Sequence, residues 1–454
     1  MFKDRIIGSL INTAKKEYEK PKVGKTTLEG ARDRIRNLLS ETSVHSDEER
    51  AQIKMIEKEA MLGDKESEEF LKDHVRKLLD DFGIEVPGMT SAEVAADIFK
   101  HTWGLGPAEE LYNKTDVDEV DINGVGNVYI FRRGKPEKVD ISFSKKELES
   151  LVTRLLVNSP NLTTSRPHVR TVRKDKTRVH VTGPDITSGI TVCLRKKDTF
   201  IYSKENLIES GTMDEKTYEL LTIIFKWLLN VLISGSANSG KTSMLVYFFG
   251  FNDPEIRTLV IEPELEILLS EAYPGWNIID MQQQPNLGID TDVLYERVVL
   301  QMTPQRVIEG EILDGSDVKV AIKAGLRNVG GNLATFHTEE MEEVFDNMAM
   351  SYMEKSGTNN ITKELAMQRV VRAFDIVVHM ATSKKGQKKV VRVAHPYIFD
   401  SQLKYHDIVV WKPGQQDYFE GEWEHHPLPA RIVEKMFKNG FAKSELAKKG
   451  FGWQ

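Results

Sequence analysis

The sequence predicts an α/β protein in which a parallel-sheet nucleotide-binding domain follows a small α+β domain and an N-terminal helical extension. Three observations carry that prediction. Residues 235–242 read G-x-x-x-x-G-K-T and directly follow the apolar run at 228–233. Beyond them, apolar runs alternate with helical patterns to about residue 425, as the strands and crossover helices of a parallel sheet must. At 454 residues the chain is also long enough for two or three domains, one of them a RecA-sized core.

Residues 1–90 are charged and helical in pattern, punctuated by Pro21, Pro87 and Gly88. Ile53, Ile56, Phe70, Leu71, Val75, Leu78 and Leu79 recur at three- and four-residue steps, which predicts a small helical bundle. Phe2, Ile6, Ile7, Leu10 and Ile11 would form one face of an amphipathic helix, read as docking on its own domain ahead of a membrane surface. Residues 91–200 change texture. A helical start at 91–103 leads to the turn at 104–107, then to strand-like runs at 117–124, 128–131, 178–181 and 189–195. This is the α+β domain; residues 132–135 are its basic hairpin tip and 196–206 its tether. The nucleotide-binding domain then spans 201–454.

Composition narrows the function classes. Lys and Arg number 62 against 69 Asp and Glu, a net charge of −7, so no global field draws the chain to nucleic acid. A single cysteine, Cys193, excludes an intrachain disulfide and a cysteine-rich metal site, and reads as a small buried hydrophobe. The first residues lack the apolar core of a signal peptide. The most apolar stretch, 220–233, is broken by Lys226 and Asn230 and is too short to span a bilayer. The expectation is a cytoplasmic protein.

The chemistry starts at the glycine-rich turn. Backbone N–H groups of Gly235, Ser236, Ala237, Asn238, Ser239 and Gly240, with the helix N-terminus that continues through Ser243, are suited to cradle phosphates. Lys241 would neutralise the β/γ oxygens and the Thr242 hydroxyl would hold Mg²⁺, so ATP and Mg²⁺ are the expected ligands. In open α/β sheets chemistry gathers at strand carboxyl ends. Three further apolar runs end in polar candidates: 258–261 at Glu262, with Glu266 one turn on; 306–308 through Glu309 at Glu311; and 333–336 at His337. Glu262 is expected to polarise the attacking water, Glu311 to act on Mg²⁺ or that water, and His337 to sense the γ-phosphate or couple subunits. Each also has a bland reading, respectively a helix N-terminal acid, a solvated carboxylate and a structural histidine.

The four elements together resemble the secretion-ATPase superfamily that powers type II and type IV secretion and pilus assembly. Its phosphate loop, Asp box with catalytic glutamate, Walker B stretch ending Gly-Glu and His box correspond to residues 235–242, 262–266, 307–311 and 331–337. The resemblance covers roughly residues 95–440 and includes 104–111, 120–124 and 129–133 of the preceding domain; it is nearest to the tight-adherence (Cpa/Tad-type) pilus branch. The resemblance implies a RecA-like P-loop fold, a homo-hexamer that hydrolyses ATP, peripheral attachment inside the cytoplasmic membrane through a platform protein, and no direct contact with nucleic acid. It also implies an arginine reaching the phosphates from the small domain, with Arg195 favoured over Arg178, Arg173 and Arg166. A solvated hairpin edge is the bland reading of the basic run at 166–174. Departures from the family pattern are Pro263 after Glu262, Gln301 and Thr303 for arginines before Walker B, Leu313-Asp314 after Gly-Glu, and residues 327–329 ahead of the His box. The lost arginines motivate one rival, a nucleotide-binding scaffold with little hydrolysis; a RecA-like DNA translocase is the other, and the net charge and the absence of a basic–aromatic groove argue against it.

Overall fold

The computed structural model describes residues 24–41, 45–132, 135–196, 202–263, 265–284, 287–327, 331–356 and 361–453. The N-terminal amphipathic segment, residues 133–134 of the hairpin tip, 197–201 of the tether and residues 328–329 lie outside these. The chain divides into two compact units, residues 1–198 and 199–454.

The first unit begins with a helical layer: α1 (Leu28–Ser40), α2 (Asp47–Met61), α3 (Lys65–Phe82) and α4 (Ser91–Thr102). Their starts are set locally. Thr27, Ser46, Asp64 and Thr90 each accept a first-turn amide, and Ser46 and Thr90 complete capping boxes with Glu49 and Glu93. Helix α3 stops at Gly83, whose φ of 56° few side chains tolerate. Ile35, Leu71, Val75, Leu79, Ile98 and Phe99 fill the layer's core, so α4 belongs to it.

A six-stranded antiparallel sheet follows: β1 (Glu119–Asn123), β2 (Val128–Arg132), β3 (Lys135–Val139), β4 (His168–Val172), β5 (Arg178–Thr182) and β6 (Thr191–Arg195), in the order β3-β2-β1-β6-β5-β4. Period-two alternation sends Val120, Ile122, Ile130, Val181 and Leu194 to one face, where Leu148, Leu151 and Leu155 of α5 (Lys145–Leu155) cover them.

The second unit contains a nine-stranded sheet among the described residues. Six strands are parallel: β7 (Val231–Gly235), β8 (Thr258–Glu262), β9 (Ile278–Gln282), β10 (Arg306–Ile312), β11 (Leu333–His337) and β12 (Ile376–Thr382). They run in the order β9-β8-β10-β11-β7-β12, with β13 (Lys388–Phe399), β14 (Gln402–Pro413) and β15 (Gly421–His425) added antiparallel beyond β12. This is a RecA-like α/β domain, in which one strand separates the phosphate-loop strand from the strand carrying the acid. Every residue of β7 is buried, as expected of a parallel strand covered on both faces. Helix α6 (Glu215–Lys226) precedes β7, α7 (Lys241–Phe249) follows it, and α8 (Thr291–Arg297) and α9 (Gly315–Arg327) flank β10. No described helix is long and apolar enough to cross a membrane.

The apolar run expected to be strand from residue 228 is shorter as strand. Leu228 takes φ 58°, closing the turn after α6, and β7 starts at Val231. Asn230 fixes that start. Its side chain donates to Gly325 O and Ala373 O, both at 2.9 Å, and accepts from Asn332 N at 2.9 Å, while its own N–H reaches Asp375 Oδ2 at 2.7 Å. The network ties β7, β11 and β12 together at their entry ends. Asn230→Ala would strand two carbonyls and an amide in a buried place. It is expected to cost about 2–4 kcal/mol, read by urea unfolding. A loss below about 1 kcal/mol would mean that water takes the side chain's place.

Candidate nucleotide site

The loop between β7 and α7 takes its shape from backbone conformations that side chains resist. Gly235 has φ 150°, and a Cβ there would stand 2.2 Å from Met380 O. Gly240 has φ 91°, with a Cβ position 2.5 Å from the Tyr202 hydroxyl. Asn238 accepts φ 60°, a conformation its short polar side chain tolerates. Gly240 is the N-cap of α7 and supplies no capping side chain, so an anion can take up the first-turn amides. The cradle a Cβ would fill and the uncapped helix start are the features a triphosphate needs.

Lys241 opens α7 yet is only 5% exposed. Its ammonium donates to Gly235 O at 3.0 Å and Ser236 O at 2.9 Å, and lies 3.1 Å from His337 Nδ1. On its other side, His337 Nε2 is 2.5 Å from Glu311 Oε1. With Lys241 donating, Nδ1 must accept, so the imidazole carries its proton on Nε2 and gives it to Glu311. Burial lowers the Lys241 pKa to about 8, opposed by the Glu311 charge. Three of the four residues expected to be catalytic therefore form one continuous chain.

They meet because of strand order. β11 lies between β7 and β10, and its register sets His337 beside Gly235 and Phe336 beside Ile312.

Glu262 ends β8 and is 2% exposed. Its Oε1 accepts from Ile267 N at 2.9 Å and Glu266 N at 3.3 Å; Oε2 is buried without a partner among the described residues. Gly310 makes room, since a Cβ there would lie 2.9 Å from Glu262 Cγ and 3.0 Å from Oε1. Glu262 thus sits against the Gly-Glu segment of β10, outside the Lys241–His337–Glu311 chain. Burial, helped by Glu266 and Asp280, raises its pKa to about 7 against the two amides.

Sequence reasoning missed several neighbours. His379, on β12, bonds Ser234 Oγ at 2.9 Å through Nδ1 and Glu339 O at 3.1 Å through Nε2. Its run Ile376–His379 is a further apolar strand with a polar member, so the signal used for the other strands reaches it. Lys388 brings Nζ to 3.3 Å from the Gly240 Cβ position, a cation beside the phosphate loop that no motif announced. Glu309 is 4% exposed, and burial with Asp317 nearby pushes its carboxyl well above the usual range. Asp317 in turn accepts from Leu313 N at 2.8 Å, Asp314 N at 3.2 Å and the Thr291 hydroxyl.

Of the small-domain arginines, Arg195 ends β6 half-exposed, 3.7 Å from Glu119. Arg173 is not a surface cation as expected. It is 5% exposed, with Asp175 at 3.3 Å and its guanidinium 5.5 Å from the Tyr112 ring, which makes it structural. Cys193 is half-buried, and burial beside Glu119 and Asp121 pushes its thiol up, which disfavours the thiolate that would react.

A family model described as "Type II/IV secretion system protein" matches residues 166–426. An uncharacterized protein of Methanocaldococcus jannaschii is 28% identical over 226 residues, covering 46% of this chain and 30% of its own length. The conjugal transfer protein TrbB of Rhizobium radiobacter is 23% identical over 210 residues, 45% of this chain and 60% of its own. The chain thus spans less than two-thirds of the curated relatives it matches. Among solved structures, the VirB11 ATPase of the Brucella suis type IV secretion system is 19% identical with a TM-score of 0.35, covering 64% of this chain and 96% of its own. The pilus retraction motor PilT with bound ADP is 12% identical with a TM-score of 0.43, covering 74% and 86%.

The Glu262 carboxyl makes folding pH-dependent. Between about 4.5 and about 7 the unfolded chain loses this proton while the folded chain keeps it, so stability falls as pH rises through that window. Glu262→Gln keeps an acceptor for both amides and removes the effect. It is expected to stabilise the second unit by at most about 3 kcal/mol at pH 8 and by nothing measurable at pH 4.5. Equal effects at both pH values in urea unfolding would refute the assignment.

Proposed function

Because the chain belongs to the type II/IV secretion system protein family, we propose that it is an ATP-hydrolysing motor of a pilus or secretion machine. The observation that carries this is the Lys241–His337–Glu311 chain across three strand ends beside the phosphate loop. In this reading residues 235–240 wrap the phosphates and Lys241 leaves its two loop carbonyls for the β/γ oxygens. Thr242 and Glu311 would hold Mg²⁺, which when bound neutralises charge on the phosphates. A base held near neutrality suits proton transfer, and the Glu262 carboxyl, raised to about 7, is the candidate to polarise water. His337 links Lys241 to Glu311 and is suited to register the γ-phosphate. Arg195 would approach from a small domain, in a homo-hexamer set against a membrane platform protein at the cytoplasmic face. The tight-adherence branch remains our preferred placement, on the motifs alone.

One observation favours a second reading. Glu262 is enclosed, bonded to two amides and followed by Pro263, which suits a nucleotide-binding scaffold with little hydrolysis.

Steady-state ATP turnover separates the two. In the assembled protein Glu311→Gln is expected to lower kcat by at least about a hundredfold while retaining ATP binding. Lys241→Ala is expected to lower both turnover and affinity. Wild-type turnover no faster than that of Glu311→Gln, with ATP still bound, would establish the scaffold.

A further inference from the structure

Lys388 stands where electrostatics oppose a cation. Its Nζ is 3.3 Å and its Cδ 3.1 Å from the Cβ position of Gly240, the residue that caps α7. The amino end of a helix carries partial positive charge and unbonded amides, which disfavour a neighbouring ammonium. Neither a capping side chain nor an acidic residue in the first turn of α7 offsets this. Among the described residues Lys388 forms no ion pair within 4 Å. Lys241 brings a second cation to the same loop.

The fold holds the lysine there. Met380 of β12 pairs with Gly235, where the phosphate loop leaves β7, and Thr382, two residues on, pairs with Lys388 of β13. The turn between the two strands is closed: Ser383 N donates to Gln387 O and Gly386 N to Ser383 O, both at 2.9 Å. Lys389 is fixed separately. Its Nζ donates to Gly211 O at 2.9 Å and lies 3.7 Å and 4.5 Å from the Trp411 and Trp423 ring centroids. Val390 N donates to Thr212 O at 2.8 Å, and the Val390 side chain belongs to the core that includes Met244, Leu245 and Phe248 of α7. Period-two alternation puts Lys388 on the same face as Val390, the face α7 covers.

We propose that Lys388 is a further nucleotide-binding residue, one that contacts the α- and β-phosphates; the assignment rests on the nucleotide reading of this loop. The Lys241 ammonium lies on the carbonyls at the loop's beginning, Gly235 and Ser236, beside His337, whereas Lys388 lies over the loop's end at Gly240. In such a loop the lysine serves the β/γ oxygens and the backbone amides serve the α/β phosphates. Lys388, set over the last residue before the helix, is placed for the α/β pair. A bound diphosphate would satisfy the helix start and Lys388 together, through charge-assisted contacts of the stronger kind.

Calorimetry on the full chain with ADP and Mg²⁺ tests this. Lys388→Gln is expected to weaken ADP about tenfold, and the non-hydrolysable imido analogue of ATP by the same factor, since both carry the α/β pair. Lys388→Arg keeps the charge and should bind ADP within about threefold of the wild type. Three outcomes overturn the proposal. They are ADP affinity unchanged in Lys388→Gln, a loss confined to the ATP analogue, and an arginine variant as weak as the glutamine one, which would place the effect in loop packing. Failure of the wild-type chain to bind ADP at all would instead overturn the nucleotide reading of the loop, and this assignment with it.

Discussion

The second unit is organised around one difficulty, an ammonium ion placed where water barely reaches it. Lys241 is 5% exposed, and a charge so placed must be met by fixed oxygens and nitrogens or it would lose its proton. The loop supplies two carbonyls only because Gly235 and Gly240 let the backbone fold back tightly enough. The sheet supplies the third partner through strand order: with β11 between β7 and β10, a histidine at its end spans from the lysine to an acid one strand further away. A sheet with β10 directly beside β7 would set Glu311 against Lys241, leaving no intermediary.

That register needs an anchor at the opposite end of the strands. The Asn230 side chain joins the entry ends of β7, β11 and β12 through backbone groups that have no strand partner there. Asp375 extends the tie, accepting from Asn230 N and from Lys435 on the C-terminal helix Ala430–Lys438. Parallel strands slide easily when one end is loose, and a slip of one residue would turn His337 to the other face. Polar burial below the sheet and polar burial above it are thus coupled through the rigid strands between them.

Much of this site could be read before any fold was known, for a physical reason. A phosphate loop, an acid and a histidine each followed an apolar run, and parallel strands deliver their carboxyl ends to one edge. What sequence could not give was distance. Nothing in the chain distinguishes Glu311, within reach of His337, from Glu262, which ends an adjacent strand but turns against Gly310. Lys388 was hidden because it arrives from an antiparallel strand far along the chain; His379 was within reach of the apolar-run signal, though it sits inside a strand that continues to Thr382 rather than at its carboxyl end. In the first unit the basic run at 166–174 read either as a solvated hairpin edge or as a source of phosphate contacts, yet Arg173 faces Tyr112 and Asp175, a contact made by the α+β topology rather than by local pattern.

Glu262 and Glu309 show how burial alone does not decide a carboxyl's role. Glu262 closes β8 and Glu309 lies within the neighbouring β10, and both are under 5% exposed. Glu262 keeps one oxygen on two amides, which offset part of the desolvation and leave its pKa at about 7. Glu309 gains no such offset and faces the acid Asp317, so it is held well above the usual carboxylate range. Only a group whose two protonation states are close in free energy can exchange a proton near neutral pH at little cost. By that criterion Glu262 is the better suited of the two to proton exchange near neutral pH, while burial and the neighbouring Asp317 bias Glu309 toward its protonated form. The difference comes from two backbone N–H groups on the turn after β8, which is where the family pattern and this sequence part company at Pro263.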